Sequence, residues 1–308
     1  MLRFVTVITG LSILIFGVLI SITLVLGRIL PAKQLLYISA PLSRSNLNLF
    51  DLYHRINVNL FLRVFHPAWS PDGEHVTFLA ASSDGKLLDL YIMNVFTRNI
   101  QPLIKSALIV SSHSWSPDGH EIAFASFHDK SYGIYVMSVD CVGGFEQCAK
   151  RITTKDPYFY YSPTWSPDGK HIVFVTNKDD PLGFMNIYIM NRDGSYLRRL
   201  TENPGDDENP SWSPDSRYLV YSAGSIESVG KAEMMIVDTE CNVGISCSYP
   251  VIGSALELTP DWSSDGHSIV FVGGIAGKFE LYVINLEGHY LQRLTYNDLQ
   301  ESDPRWRP

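Results

Sequence analysis

Short runs of β-branched and aromatic residues alternate with turn-forming residues along nearly the whole chain after residue 34. Around residue 180 the apolar runs are 172–175 (IVFV) and 187–190 (IYIM), and Gly, Pro, Asp and Asn lie between them. Apolar runs of this length, bounded by such residues, predict β-strands. The chain is therefore predicted to be all-β.

The strand pattern repeats with a period of nearly fifty residues. All six tryptophans mark the repeat, at intervals of 46, 50, 47, 50 and 44 residues: Trp69, Trp115, Trp165, Trp212, Trp262 and Trp306. The third copy continues as Ser166-Pro167-Asp168-Gly169, which is favourable turn chemistry, and then supplies three further strands. A tandem unit of four antiparallel strands predicts one blade of a β-propeller. Packing between blades is the expected role of the tryptophans.

The two ends of the repeat region each hold part of a blade. The last copy stops at 303–308, which reads as a first strand with nothing after it, whereas residues 35–38, 49–52 and 61–64 read as strands two to four without a first. We therefore expect the C-terminal strand to pair with the N-terminal ones and close a six-bladed ring over residues 35–308. Ser216 and Ser264 replace glycine and proline in two turns, which should weaken those turns without abolishing them.

The repeated Trp-Ser-Pro-Asp-Gly followed by an aliphatic-x-Phe strand resembles the TolB-type β-propeller repeat, in five full copies and one split copy. The resemblance implies the same fold and, because such propellers mostly mediate protein interactions, a protein-binding role. TolB itself carries an additional α/β domain before its propeller, for which this chain has no room. We therefore expect a TolB-like propeller and not TolB.

Residues 4–27 are uncharged and mostly apolar, between Arg3 and Arg28. As a helix they would extend ~36 Å, enough to cross a hydrocarbon core of ~30 Å. A cleaved signal peptide is the alternative, but its apolar region is normally only ~7–15 residues long and ends in small residues. The length of the run and the poor cleavage site at 27–31 favour one uncleaved transmembrane anchor.

Four cysteines form two closely spaced pairs, Cys141 with Cys148 and Cys241 with Cys247. Both pairs fall in the connection between the third and fourth strands of a blade, where a disulfide would staple an enlarged hairpin. A zinc site is the alternative, but it needs four converging ligands, and the pairs are two blades apart. Disulfides place the propeller on the extracytoplasmic side, in the periplasm or at the cell surface. The absence of an Asn-x-Ser/Thr sequon points to a bacterial source.

Acidic residues gather in the loops that lead into the first strands, at one mouth of the predicted channel. They are candidates to bind a divalent cation or a basic partner segment, although loops of an acidic protein carry such residues without any site: Asp156, Asp206, Asp207, Glu208, Glu301 and Asp303. His66 and His113 precede first strands and are candidates for a metal or acid–base role, against a solvated or packing role. No metal or other cofactor is predicted.

Composition narrows the function classes. The net charge is −8 and no basic face is visible, since Arg198-Arg199 reads as the polar edge of a fourth strand, so nucleic acid is not an expected partner. Gly-x-Ser-x-Gly and His-Glu-x-x-His motifs are absent. We expect a membrane-anchored extracytoplasmic module that binds a protein, peptide or glycan. The alternative is a propeller enzyme, a lyase or glycan hydrolase, with a site assembled from several blades at the channel mouth.

Overall fold

A computed structural model of the chain describes residues 34–40, 46–51, 56–62, 64–82, 88–105, 109–224, 232–241, 247–252, 256–275, 278–287, 290–297 and 299–308. Within these ranges no helix has both the length and the apolar character needed to cross a bilayer. The predicted anchor, residues 4–27, lies outside the described residues and stays a prediction.

Three consecutive four-stranded antiparallel sheets form blades 1 to 3. Blade 1 consists of β4 (Val64–Trp69), β5 (His75–Ala81), β6 (Leu88–Asn94) and β7 (Ile100–Ile104). Blade 2 consists of β8 (Ile109–Trp115), β9 (Glu121–His128), β10 (Ser131–Ser138) and β11 (Ala149–Arg151), with the one-turn helix α1 (Phe145–Cys148) before β11. Blade 3 consists of β12 (Tyr160–Trp165), β13 (His171–Thr176), β14 (Asn186–Asn191) and β15 (Arg198–Arg199).

The other three sheets complete the ring. Blade 4 consists of β16 (Asp207–Trp212), β17 (Tyr218–Gly224), β18 (Ala232–Asp238) and β19 (Ser248–Ile252). Blade 5 consists of β20 (Leu256–Trp262), β21 (Ser268–Ile275), β22 (Lys278–Asn285) and β23 (Tyr290–Arg293). Blade 6 combines β24 (Gln300–Trp306) with β1 (Gln34–Ala40), β2 (Asn46–Asp51) and β3 (Ile56–Leu62). The predicted six-bladed propeller is confirmed.

The C-terminal strand closes the ring as the sequence predicts. Leu35 of β1 pairs with Trp306 of β24, and Ser39 pairs with Glu301. The strand limits differ from those predicted for this blade, because β3 ends at Leu62 and Val64 already begins β4. Blades 6 and 1 therefore follow each other with almost no linker, which the pattern of apolar runs did not reveal.

The two faces of the ring carry different connections. Because the strands of a blade alternate in direction, the Ser-Pro-Asp-Gly turns and the connections between third and fourth strands lie on one face, the turn face. The opposite face, the loop face, carries the loops that lead into first strands and the connections between second and third strands. The predicted acidic loops and the two disulfide loops therefore begin on opposite faces.

Each turn after a first strand is closed by its own serine and aspartate. In blade 3 the Ser166 hydroxyl donates to Asp168 (Oγ···Oδ1 2.6 Å), and the backbone N–H of His171 donates to Ser166 Oγ (2.9 Å). The same serine–aspartate bond forms in blades 1, 2, 4 and 5. Four glycines at the left-handed turn position have φ between 64° and 76°, and Ser216 adopts 62° there. Both substituted turns form, as predicted.

The core consists of the junctions between neighbouring blades. Trp165 is buried against Ala123 and Ile134 of blade 2, together with Phe174 of its own blade. Trp69, Trp212 and Trp306 are buried at the equivalent junctions, and Trp115 and Trp262 are partly buried there. Packing between blades is thus confirmed as the role of the repeated tryptophan.

Both predicted disulfides are present, joining Cys141 to Cys148 and Cys241 to Cys247. Because the sulfurs are bonded to each other, the zinc alternative does not apply. Cys247 is buried in the core between blades 3 and 4, and Cys148 packs at the junction of blades 1 and 2. The second cysteine of each disulfide therefore lies at a junction between two blades.

Candidate functional site

The innermost strands of the ring surround a central channel and share a backbone irregularity. Three residues before the tryptophan, five of the six strands have a residue with φ of 48–54°: His66, Ser162, Asn209, Thr259 and Asp303. The pairing with the second strand shifts register at this point. Such bulges re-aim side chains locally, here on the wall of the channel.

A cavity of about 290 Å³ occupies the channel, and the ionisable side chains are unevenly distributed over its wall. The carboxyl and guanidinium groups on the wall come from two adjacent blades, as Asp261 of blade 5 and Arg305 of blade 6. Blades 2, 3 and 4 contribute neutral polar groups: Ser112, Ser114, Ser162, Thr164, Asn209 and Ser211. The channel wall therefore combines polar side chains with tryptophan and proline rings, and Asp261 and Arg305 lie together on one side of it.

Asp261 joins the closing strand to its neighbour. One carboxylate oxygen accepts the backbone N–H of Trp306 (2.7 Å), and the other accepts the hydroxyl of Ser211 (3.1 Å). Burial raises the pKa of this carboxyl, against the opposing effects of the Arg305 charge and these hydrogen bonds. Asp261 thus links blades 4, 5 and 6 around the channel.

Two of the predicted site residues meet at the junction of blades 6 and 1. His66 Nδ1 lies 3.5 Å from Asp303 Oδ1. Burial opposes ionisation of Asp303, but the hydrogen bond and charge of His66, together with the charge of Arg305, outweigh it and lower the pKa of Asp303. Asp303 is therefore a carboxylate at neutral pH, next to the imidazole of His66.

His113 is buried at the junction of blades 1 and 2. The Thr77 hydroxyl accepts Trp115 Nε1–H (2.8 Å), and it lies 2.7 Å from His113 Nε2 and 3.3 Å from the carbonyl oxygen of Ala68. Burial, with nearby positive charges, lowers the pKa of His113 to about 3. A buried imidazole with this bond ties blade 2 to blade 1, and a binding or acid–base role for His113 stays a prediction.

Asp207 and Glu301 occupy the same place in blades 4 and 6, five residues before the tryptophan, and both are buried. Each accepts a side-chain hydrogen bond of 2.8 Å from an asparagine four residues earlier, Asn203 and Asn297 respectively. Burial raises the pKa of Asp207 to about 6 and that of Glu301 to about 7, against these bonds. One carboxylate oxygen of each is buried without a hydrogen-bond partner. These carboxyls are embedded in blade junctions.

Asp156 takes the asparagine's place in blade 3. Its carboxylate accepts the phenol of Tyr160 (2.7 Å) and the hydroxyl of Thr154 (2.9 Å), and Lys178 Nζ lies 3.5 Å away. Burial opposes ionisation, but these bonds and the lysine charge outweigh it and lower the pKa of Asp156. Asp156 therefore braces the loop that leads into β12.

The predicted acidic residues are thus distributed over separate blades. Asp206 accepts the backbone N–H of Met185 (2.9 Å), and Glu208 is exposed on the loop face. In the described part of the chain, no three His, Cys, Asp or Glu side chains lie close enough together to hold a metal ion. The structure brings together His66 and Asp303 from the predicted set, and a binding role for the others stays a prediction.

An exposed aromatic cluster on the loop face was not found by sequence reasoning. Tyr132 contacts Phe127 and Phe159, with ring centroids 4.8 and 4.9 Å apart, and Tyr161 lies 6.1 Å from Tyr132. Phe127 and Phe159 are 37% and 38% exposed. We call these four residues of blades 2 and 3 the aromatic patch. It adjoins the channel mouth, because Tyr161 directly precedes Ser162 of the channel wall.

One signal for the aromatic patch was present in the sequence. Residues 158–161 read Tyr-Phe-Tyr-Tyr, and strand alternation places Tyr160 in the core and its two neighbours outside. Phe65 of blade 1 occupies the position of Tyr161, four residues before the tryptophan, and is also exposed. Aromatic residues thus border the channel mouth in more than one blade.

Comparisons with known proteins agree with this architecture. Solved structures with the same fold include TolB from Acinetobacter baumannii (TM-score 0.75, 18% identity, covering 90% of this chain and 67% of that one). A putative TolB from Agrobacterium tumefaciens is similar (TM-score 0.67, 19% identity, 90% and 99% covered). An oligogalacturonate lyase in complex with manganese also aligns (TM-score 0.58, 16% identity, 86% and 74% covered). At such identities the likeness shows the fold alone.

The sequence itself carries a more specific match. The family described as the TolB beta propeller domain matches residues 31–179 and, in a second overlapping match, residues 98–249. Together the two matches span more than half of the chain and cover blades 1 to 3 and most of blade 4. The closed ring and its serine–aspartate turns agree with that match. The chain therefore belongs to the TolB beta propeller domain family.

Proposed function

We propose that this chain is a membrane-anchored, extracytoplasmic binding module that presents its loop face to a protein partner. The observation that carries the proposal is the aromatic patch. Four aromatic rings from two blades touch one another at the channel mouth while two of them remain more than a third exposed. Contiguous exposed apolar groups on a soluble surface mark interaction sites.

Aromatic side chains are well suited to such a role. They present a large contact area with few rotatable bonds, and they are enriched among the residues that dominate binding energy at protein interfaces. The patch is also held rigidly, since Tyr160 between Phe159 and Tyr161 is buried and bonded to Asp156. Little conformational entropy is lost when a partner orders an already fixed surface.

Two further features support the proposed compartment. Both disulfides are characteristic of proteins exposed to an oxidising environment. Residues 4–27 have the length and apolar composition of a membrane-spanning segment. TolB-like propellers mediate protein interactions, which favours a protein over a glycan as the partner.

Substitution of the patch tests the proposal. Phe127→Ser combined with Phe159→Ser removes the exposed rings, and Leu182→Ser serves as a matched control, because Leu182 is an exposed apolar residue on the same face outside the patch. Tagged full-length chain is purified from the native membrane, and each co-purifying protein is quantified. The affinity of each such protein for wild type and for the variants is then measured by titration. We expect affinity at least ~10-fold weaker for the double variant and unchanged for the control.

Two results would contradict the proposal. One is a partner whose affinity is the same for wild type and for the double variant. The other is binding of purified oligosaccharides that depends on the patch while no protein co-purifies, which would make the module a glycan receptor. Thermal unfolding of each variant confirms that the fold is retained.

A propeller enzyme is the second candidate, and one observation favours it. His66 and Asp303 form an imidazole–carboxylate pair near the channel, an arrangement that can orient a general base. The fold is shared with an oligogalacturonate lyase solved with manganese, but the described residues assemble no metal site of three or more ligands. Turnover of oligogalacturonate by wild type that is abolished in His66→Ala would establish the enzyme and displace the binding module.

A further inference from the structure

The point where the N-terminal segment leaves the propeller is defined by the closing strand. The backbone N–H of Arg307 donates to the carbonyl of Gln34 (2.9 Å), and its guanidinium donates to the Gln34 side chain (2.7 Å) and to the carbonyl of Gly73 (2.8 Å). Gly73 belongs to the turn of blade 1. Gln34, the first residue of β1, is therefore fixed on the turn face, between blades 6 and 1.

The tether between the proposed anchor and this point is short. Six residues, 28–33, separate the apolar segment 4–27 from Gln34. Fully extended, the chain from residue 27 to residue 34 reaches at most about 25 Å. The ring itself is about 23 Å thick, judged from the seven residues of β1 at ~3.3 Å each. The tether is too short to pass around the outer strands of blade 6 and bring the loop face to a bilayer.

Exposed apolar side chains occur on the turn face as well. Tyr196 of blade 3 and Tyr290 of blade 5 hold equivalent positions, three residues before the arginine of the fourth strand, and they are 85% and 66% exposed. Each is followed by an exposed leucine, Leu197 and Leu291. In blades 2 and 4 the same position is held by Cys148 and Cys247, the second cysteine of each disulfide. Tyrosine is the residue type that prefers a membrane–water interface, with its ring in the apolar layer and its hydroxyl in water.

These observations concern the orientation of the propeller at the membrane, which goes beyond the proposed binding role. We infer that the turn face lies against the bilayer that holds residues 4–27, with Tyr196-Leu197 and Tyr290-Leu291 in the headgroup layer. The loop face, with the aromatic patch, then points away from the membrane. The inference depends on the anchor proposed above but not on the identity of the partner. Both the reach of the tether and the positions of the exposed tyrosines give the same orientation.

Blade 3 offers a matched pair of probe sites for this orientation. All four cysteines are bonded in disulfides, so one introduced cysteine can be labelled without reduction. Tyr196→Cys places a label on the turn face, and Leu182→Cys places one on the loop face of the same blade, at a residue 74% exposed. Each full-length variant carries a nitrobenzoxadiazole label and is reconstituted into phosphatidylcholine vesicles with and without nitroxide-labelled lipid.

We expect quenching by the lipid nitroxide to be roughly threefold or more stronger for the label at position 196 than for the label at position 182. Equal quenching at the two positions, or stronger quenching at 182, overturns the inference. A blue-shifted label at 196 that lipid nitroxide does not quench shows that protein and not lipid covers the turn face, which also overturns it. Failure of the full chain to float with the vesicles refutes the anchor, whereas the patch titration with a soluble partner is independent of that result.

Discussion

Two carboxyl groups of β24, those of Glu301 and Asp303, lie in environments that shift their pKa values in opposite directions. Glu301 is buried beside Asn297, and burial together with the charge of Glu280 raises its pKa to about 7. Asp303, two residues later, is also shielded from water, but His66 and Arg305 stabilise its charge and lower its pKa. The first carboxyl thus weakens the closing strand when ionised, whereas the second one strengthens it.

The raised pKa of Glu301 predicts a pH dependence of stability. A carboxyl whose pKa is higher in the folded than in the unfolded chain binds more protons when folded, so stability falls as pH rises between about 4.5 and 7. Glu301→Gln keeps the acceptor for Asn297 without the charge. We expect the variant to be more stable than wild type at pH 8, by on the order of 2 kcal/mol in chemical denaturation.

The comparison at low pH makes this prediction specific. At pH 4 wild-type Glu301 is protonated, so its stability and that of the variant should agree. Glu202→Gln, at an exposed carboxyl, serves as a control and should leave the difference between pH 4 and pH 8 as in wild type. Equal stability of wild type and Glu301→Gln at pH 8 would contradict the buried, ionisable Glu301 described above.

The turns of neighbouring blades pack against each other, and substitution of Gly169 tests whether this contact stabilises the ring. Gly169 has φ of 70°, and a Cβ there would come within 3.1 Å of Pro117 in the turn of blade 2. Gly183 has φ of 80° with no neighbouring atom within 4 Å. Both alanine variants should lose about 1–2 kcal/mol for the left-handed backbone, and Gly169→Ala should lose more because it also separates the turns. Equal losses in denaturant unfolding would exclude a contribution from the stacking.

Blades 2, 3 and 5 are each fastened by an arginine in the fourth strand. Arg199 donates to the carbonyl of Thr201 (2.6 Å), to Asn186 (2.7 Å) and to Asp180 (3.2 Å). Arg151 and Arg293 donate to the carbonyl of the threonine two residues later in the same way. The threonine hydroxyl in turn accepts a backbone N–H from the third strand. This network holds the outer strand, which in blade 3 has only two paired residues.

Loss of the planar guanidinium of Arg199 should therefore destabilise blade 3. Lysine cannot donate to three acceptors in one plane, so Arg199→Lys leaves the nearly buried Asp180 partly unsatisfied and should lower stability by ~1–3 kcal/mol. Arg217→Lys is the control, since Arg217 pairs with Asp238 at a half-exposed site and should lose at most ~1 kcal/mol. The two losses are compared by urea unfolding. Similar values would show that the arginine network is unimportant.

The sequence predicts the blades well because each blade repeats the same local signals. Apolar runs, the Ser-Pro-Asp-Gly turns and the tryptophan period depend on neighbours in the chain, and they predicted the ring, its closure and both disulfides. The functional surface depends instead on residues from different blades. Phe127 and Phe159 meet across the junction of blades 2 and 3, and Arg199, which reads as a polar strand edge, is a structural fastener. The sequence predicts that carboxyls such as Asp207 and Glu301 gather at one channel mouth, yet each is buried in its own junction.

The ring as a whole is held closed by β24. Besides its pairing with β1, this strand is joined to blade 5 through Asp261, and Arg307, directly after the strand, donates to Gly73 of blade 1. Removal of residues 303–308 takes away the buried Trp306 and these bonds, and should lower stability by ~3–5 kcal/mol or more. Removal of the exposed Pro308 alone is the control. An unchanged unfolding midpoint after the longer deletion would contradict closure by the C-terminal strand.

The turn face and the loop face of the closed ring carry different exposed groups. The N-terminal tether leaves from the turn face, where exposed tyrosines lie, and the aromatic patch is on the opposite face beside the channel mouth. In the proposed orientation, the aromatic patch faces partners that approach from the side away from the membrane. Partner binding and membrane docking then occur on separate surfaces, so each can be altered without the other.

Site-specific photo-crosslinking in living cells tests the binding role most directly. Benzoylphenylalanine replaces Phe159 in the patch or, as the control, Leu182 on the same face, and full-length chains are irradiated and examined for protein adducts. We expect a discrete protein adduct from position 159 that is absent from position 182. No adduct from position 159, or the same adducts from both positions, would contradict a partner bound at the aromatic patch.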